Sequence, residues 1–465
     1  MSAQASTNES TEPLLTRWYP LGIFVLASAW VLDKARDKFT GDEWRYVWYA
    51  KNILQGFYTP SDNEMVWNGP AYPLWLLPFV ATGTPLLVPK LLNAALLALA
   101  VLYLHRTLRR YVSPVRASIG GLVLGLSPLT YQNLHLVHTE TMAVFLMTGL
   151  VFHLCASQAE GERRSRRHAV IAGLFLGSLV LTKVSFGPPL FISLCLALAL
   201  WALGRRSPLG RGALEACLVA FAMCVPWLLY TRHMSGKWFY WASGAGQLIY
   251  WMTSPYKEEL GEWFHHGQVK NVPMLREHHG QLYDQMIGDL REVAGTDLER
   301  MMPGVGRLCG IKADLAFWQI GFRQFREHPE NYLRNWVFNV GRLFFDHPYT
   351  LKRKQYSMTL VGLHLVLLGA VAAVGARRLR GRLTLPPEVE ALALFALVST
   401  AISTGLGAVG RYFLPLYPAY LLVALVGTSP ERWHPAPRAG EGEAAGEDEG
   451  EGEGEGEGEG DRAKA

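Results

Sequence analysis

Charge is scarce in this chain, and cysteine is scarcer. Of 465 residues only 18% are Asp, Glu, Lys or Arg, and five are cysteine. The five are Cys155, Cys195, Cys217, Cys224 and Cys309, with no Cys-x-x-Cys pair among them. Four lie in apolar runs, so neither a disulfide framework nor a cysteine-ligated zinc site is expected. No small-residue cleavage site follows the first apolar run, Trp18 to Leu32, which reads as an anchor rather than a removable leader. No internal repeat is present, against the paired halves typical of transporters.

What the chain has instead is segregated hydrophobicity. Half of its residues are hydrophobic, and apolar runs of roughly 15 to 20 residues recur, the length that crosses a bilayer. The expected fold is an all-α polytopic membrane protein of about ten transmembrane helices. The spans are near 18–32, 86–104, 117–131, 140–156, 213–230, 358–376, 389–404 and 412–426. Two more come from 169–203. As one helix that last run would be about 52 Å long, so Thr182-Lys183 and Gly187-Pro188-Pro189 are read as a break within it. Arginine clusters follow spans two, four, six and eight, beginning at Arg106, Arg163, Arg205 and Arg377. All four fall on one side, which the positive-inside rule makes cytosolic. Both termini are then cytosolic, in a plasma or inner membrane.

The expected division is a cytosolic tail at 1–17, spans one to seven over 18–230, a large helical outer segment at 231–356, and spans eight to ten over 357–427. A disordered acidic tail, rich in Gly-Glu, takes 428–465. That tail hides the basic character of the rest. Eleven acidic and two basic residues lie from Glu441 onward, leaving 42 basic against 28 acidic, or +14, in the body. The topology accounts for that excess, so no nucleic-acid partner is inferred.

The first outer loop, 33–70, carries Gly41-Asp42-Glu43-Trp44-Arg45-Tyr46. A helix from about Asp42 sets Asp42, Arg45, Tyr46 and Tyr49 on one face, with Ala50, Ile53, Leu54 and Phe57 near the other. That is an amphipathic helix at a membrane surface. Further ionisable residues sit at outer ends of other spans: Lys90, His138, Glu140, Lys183, Arg232 and Arg411. Each alone can snorkel to water. Together they suit a substrate with an anionic head and a lipid tail, where cations hold phosphate and a carboxylate takes a proton from an attacking hydroxyl. Plainer roles compete. Asp42 also suits a helix start. Thr40 and Glu43 fit a capping box. Tyr46 and Tyr49 fit an interfacial aromatic belt. Two histidine pairs, His265-His266 and His278-His279, stand in the outer segment, where a metal site would need converging geometry.

The pattern resembles the C-type (GT-C) glycosyltransferases, in particular bacterial protein O-mannosyltransferases and lipid A aminoarabinose transferases. Four motifs carry the resemblance, in order: Asp42-Glu43-Trp44-Arg45-Tyr46 with Asn52-Ile53-Leu54-x-Gly56, Thr139-Glu140, Leu181-Thr182-Lys183, and Arg411-Tyr412-x-x-Pro415. It implies a polyprenyl-phosphate-linked sugar donor and transfer to a lipid, glycan or protein acceptor outside the membrane. By this resemblance Asp42 is the general base and Arg45, Lys183 and Arg411 lie near the donor phosphate; from their place among the outer charges, Glu43 is read as a second catalytic residue and Lys90 as a further donor-phosphate contact. Some members hold a divalent metal near the acidic residues, which leaves His138, Glu140 and Tyr46 as substrate or metal contacts and Glu43 as a further candidate ligand. One departure stands out. Aminoarabinose transferases carry a lysine before a proline pair after the first loop, where this chain has Asn68-Gly69-Pro70. A transporter or flippase of lipid-linked glycans is the competing reading.

Overall fold

The structure, a computed structural model, describes residues 14–60, 64–159, 162–202, 210–289, 308–351 and 358–429. Most of the expected cytosolic N-tail, Arg205 and Arg206, and the Gly-Glu tail lie outside the described residues. Regular structure among the described residues is all helical.

The chain opens with α1 (Leu14–Lys34), α2 (Glu43–Leu54) and α3 (Ala71–Ala81). It continues with α4 (Leu87–Leu108), α5 (Pro114–Gly125), α6 (Pro128–Leu134), α7 (Thr139–Ala159), α8 (Glu162–Thr182), α9 (Gly187–Ala202) and α10 (Gly210–Ser235). A long segment follows, built from α11 (Ala245–Met252), α12 (His266–Asn271), α13 (Pro273–Asp289), α14 (Ile311–Glu327) and α15 (Pro329–Phe345). The last helices are α16 (Met358–Leu379), α17 (Pro387–Leu406) and α18 (Tyr417–Gly427).

Six of these are long and apolar enough to cross a membrane: α4, α7, α9 with the turn before it, α10, α16 and α17. The fold is thus an all-α polytopic membrane fold. At the other expected span positions the helices depart from the simple form for local reasons. Ser127-Pro128 ends α5 and starts α6, because proline cannot continue a helix from its interior. Helix α8 opens on four arginines, and α18 has only 11 residues, preceded by two 3-10 turns.

Helix α8 packs between α7 and α10, and α4 between α1 and α7. Small residues let α8 and α10 approach closely. A Cβ on Gly173 would lie 2.6 Å from Val219 Cβ, and one on Gly177 2.7 Å from Met223 Sδ. Close backbone approach through small residues spaced by four is a common way for helices to associate in lipid.

The arginine-bearing ends meet at one end of this bundle. The Arg110 guanidinium lies 5.5 Å over the Phe152 ring. The start of α10 reaches the end of α7, where a Cβ on Gly212 would be 2.5 Å from Ser157 Oγ. Tyr111 donates to Glu388 Oε1 at 2.6 Å, and Arg377 donates to the Gly427 carbonyl at 3.2 Å. The start of α7, the end of α8 and the start of α18 are at the opposite end. A helix of 21 residues such as α7 spans about 30 Å, the thickness of a bilayer core.

Candidate active site

That opposite end is where four distant segments bring their charges together. The 33–70 loop supplies Asp42 at the mouth of α2, with Arg45 and Tyr46 in the first turn. The start of α7 supplies His138 and Glu140. Lys183 sits in the extended break between α8 and α9, and Arg411 on a 3-10 turn, Gly410–Tyr412.

The charges form a chain. Arg45 Nη2 is 3.2 Å from Asp42 Oδ1, and Arg411 Nη2 donates to Asp42 Oδ2 at 2.8 Å across 369 residues of sequence. Arg411 Nε lies 3.7 Å from Glu140 Oε1, which also accepts a hydrogen bond from Lys183 Nζ at 3.1 Å. Aromatic faces line the cations. Trp67 lies 5.3 Å from the Arg45 guanidinium, and Tyr412 lies 4.8 Å from Lys183 Nζ and 5.9 Å from Arg411. Most members are sequestered, but the Asp42 and Arg411 side chains keep 26% and 32% of their surface open. They are the accessible pair.

The electrostatics follow from this arrangement. Burial alone would raise the Asp42 carboxyl, but the guanidiniums of Arg45 and Arg411 overcome it and hold it well below the usual carboxylate range. Burial lowers the His138 imidazole, against the pull of Glu140, so the ring favours its neutral form. Arg411 is driven the other way, well above its ordinary value, because Glu140 and Asp42 outweigh its desolvation.

Glu43 and Lys90 stand apart from this chain and are bound to each other. Lys90 Nζ lies 3.0 Å from Glu43 Oε1, with 1% and 0% of the two side chains exposed. Lys90 also donates to the Arg36 carbonyl at 2.8 Å. Glu43 takes the Val137 N–H at 2.7 Å and the Thr40 N–H at 2.6 Å. The last contact is the glutamate half of the expected Thr40–Glu43 capping box, but the N-cap of α2 is Asp42, whose side chain makes no capping bond. Glu43 thus ties α2 to α4 and to the entry of α7.

Helix α2 also sits differently from a helix lying on a lipid surface. Tyr46 and Tyr49 are buried, and Tyr49 Oη donates to the Met65 carbonyl at 3.0 Å. Leu54 and Phe57 are exposed. The face with the acid and the phenols turns into the protein, so the aromatic-belt reading of the two tyrosines is corrected. The periodicity sets these residues on one face but does not say which way that face turns.

Lys183 is positioned by a backbone contact. A Cβ on Gly69 would lie 2.0 Å from the Leu181 carbonyl oxygen, so Asn68-Gly69-Pro70 packs directly on the end of α8. Gly69→Ala must push that segment away. It should cost about 1–3 kcal/mol, the usual range for overpacking. Gly22→Ala, inside α1 with open space around it, should be neutral or stabilising by up to about 1 kcal/mol. Thermal unfolding in detergent reads the difference.

A resident divalent ion does not fit this cluster. The Asp42 and Glu140 carboxylates already face three cationic side chains, and Glu43 is spent on Lys90 and two backbone N–H groups. Of the cluster's possible metal donors, the two His138 ring nitrogens and Glu140 Oε2 have no hydrogen-bond partner among the described residues, with Nδ1 3.9 Å from Oε2. Among the described residues, the His, Cys, Asp or Glu group close enough to hold a metal is elsewhere, at Glu259, His278 and His279. His265 and His266 do not join it. Another feature missed from sequence is a cleft of about 460 Å³ in the long segment, lined by Thr253, Pro255, Arg323, Gln324, Glu327, His328 and Asn331. None of the charged cluster lines it.

No family model matches this chain, and no curated protein matches it. Among solved structures, its backbone is similar to the oligosaccharyltransferase of Archaeoglobus fulgidus in the apo form, at 14% identity and a TM-score of 0.47, over 89% of this chain and 51% of that one. The archaeal oligosaccharyltransferase AglB from the same organism, in complex with an inhibitory peptide and a dolichol-phosphate, gives a TM-score of 0.44 at 14% identity, over 89% and 50%. ArnT from Cupriavidus metallidurans, bound to undecaprenyl phosphate, gives 0.37 at 15% identity, over 89% and 77%. The chain spans about half the length of the archaeal enzyme. Likeness at this level does not extend to chemistry.

Proposed function

We propose that this protein is a membrane glycosyltransferase that moves a sugar from a polyprenyl-phosphate-linked donor to an acceptor hydroxyl on the non-cytosolic face. The observation that carries the reading is the accessible Asp42–Arg411 pair, flanked by Arg45, Glu140 and Lys183 from separate segments. The end of the bundle that holds it is opposite the arginine clusters, which on the positive-inside rule lie in the cytosol.

In the resting site Asp42 is held ionised by Arg45 and Arg411, and so is a weak base. An incoming donor phosphate competes for Arg411 and Lys183. As it takes Arg411, Asp42 loses one of the two guanidiniums that depress it, keeps Arg45, and becomes more basic where the acceptor arrives. The acceptor oxygen attacks the anomeric carbon, its proton passes to Asp42, and the carbon–oxygen bond to phosphate breaks. The leaving polyprenyl phosphate keeps the electron pair, its charge matched by Arg411 and Lys183. The unpaired atoms of His138 and Glu140 are assigned to hydroxyls of the donor sugar, and Tyr46, beside the His138 ring, to packing against it. Glu43 and Lys90 act as positioning residues. Acceptor recognition is assigned to the long segment, whose cleft has the volume of a small-ligand site.

The pH profile tests the role of Arg411. Asp42 has to be ionised to accept a proton, and its lowered pKa keeps it so through neutral pH and below the ordinary value of about 4. The acid limb of kcat/KM should therefore lie below that value. Arg411→Gln removes a cation that holds Asp42 down, and the limb should move up in pH. An unmoved limb would separate Asp42 from the proton transfer. The same depression is linked to stability. Ionised Asp42 supports the fold above the ordinary carboxylate pKa, and that support is lost as pH falls through the lowered value.

A further inference from the structure

We infer that Glu259, His278 and His279 form a binding site for a divalent transition metal of the zinc class, separate from the charged cluster. Glu259 ends a 3-10 turn, Lys257–Glu259, and the two histidines are consecutive on α13. Consecutive helix residues do not normally face one target. These two converge because they use different nitrogens. His278 presents Nδ1 and His279 presents Nε2, each 2.7 Å from Glu259 Oε1. The three donor atoms lie within 4.8 Å of one another. Glu259 and His279 are buried, and His278 keeps 14% of its side chain open.

The surroundings are those of a ligand set. A metal-bound histidine usually donates its other ring N–H to a fixed acceptor. His279 Nδ1 is hydrogen-bonded to the Tyr250 hydroxyl, and His278 Nε2 lies 3.5 Å from Glu258 Oε1. Ser254 donates its hydroxyl to the second Glu259 oxygen. The Tyr256 ring is stacked on His278, with centroids 3.6 Å apart and planes 4° from parallel. Trp251 is edge-on to His279 at 4.5 Å.

With an ion at His278 Nδ1, the ring's other nitrogen, Nε2, faces Glu258 Oε1 at 3.5 Å. Two imidazoles and one carboxylate suit zinc, with a fourth position left for water. The site would tie the 257–259 turn to α13. Through Ser254 it would stiffen the Thr253–Pro255 wall of the 460 Å³ cleft.

The test uses the untagged full chain in detergent, stripped with a chelator and dialysed against zinc sulfate or cobalt(II) chloride. Elemental analysis should find about one zinc per chain, as a three-ligand site holds one ion. The cobalt form should show visible d–d bands of a nitrogen-ligated, low-coordinate ion, and zinc should raise the Tm. The His278→Gln/His279→Gln double variant should lose all three responses. Wild-type protein with no stoichiometric zinc, no Tm rise and no cobalt bands overturns the site, as does an unchanged metal content in the double variant. If the double variant does not fold, the wild-type cobalt spectrum and zinc titration decide alone.

Discussion

Asp42→Asn should still insert and fold, at some loss of stability from the Arg45 and Arg411 pairs, and lose sugar transfer by roughly 10²–10⁴-fold, the range usual for removal of a positioned general base. The substitution keeps the side chain's shape and an oxygen for Arg411, which donates to it at 2.8 Å. What it removes is the negative charge and the capacity to take a proton. Donor binding should therefore survive while the chemical step does not. Steady-state transfer from a polyprenyl-phosphate sugar to acceptor in detergent or vesicles reads the effect. A transporter or flippase of lipid-linked glycans would keep its phenotype, because nothing in translocation needs a base at this position. Full activity in the Asn variant would remove Asp42 from the reaction.

Lys90→Met should destabilise the protein by about 3–5 kcal/mol, the cost typical of breaking a buried ion pair from one side. The pair is sequestered to 1% and 0% exposure, so the Glu43 carboxylate would be left buried without its counter-charge. Glu43 also takes the Thr40 and Val137 N–H groups, so the strain would fall on the loop that presents Asp42 and on the entry to α7. The double variant Lys90→Met/Glu43→Gln should recover most of the loss, since the amide is neutral and can still accept those N–H bonds. Thermal unfolding of the two variants beside wild type separates a positioning role from a donor-binding one. A phosphate ligand at Lys90 would leave stability nearly untouched and raise the KM for donor.

Much of this arrangement is legible as charge placed where it is costly. Asp42, Glu140, Lys183 and Arg411 are each visible in the sequence as ionisable residues at the ends of apolar runs. The arginine clusters mark the other ends. Helix ends are recoverable because a single residue's position along a span is fixed by the span itself. Pairing is not recoverable in that way. Nothing local at Glu43 says that Lys90, on another helix, will neutralise it. Nothing at Tyr46 and Tyr49 says that their face turns inward, because an amphipathic pattern gives a face and not its direction. The third expected span illustrates a smaller loss. Its apolar run is continuous enough to read as one helix, yet Ser127-Pro128 divides it into α5 and α6. His278 and His279 were visible as a pair, but their convergence on Glu259 depends on which ring nitrogen each presents, and that is set by rotamer and backbone rather than by spacing.

Binding of polyprenyl phosphate itself is the most direct test that this cluster receives the donor. The measurement is a titration of purified wild type, Asp42→Asn and Arg411→Gln with polyprenyl phosphate in detergent micelles. Wild type should bind saturably, Asp42→Asn should bind more tightly because one competing carboxylate is gone, and Arg411→Gln should bind at least about tenfold more weakly, the loss of one charge-assisted contact. Equal affinity across the three proteins, or no saturable binding to wild type, would contradict the account.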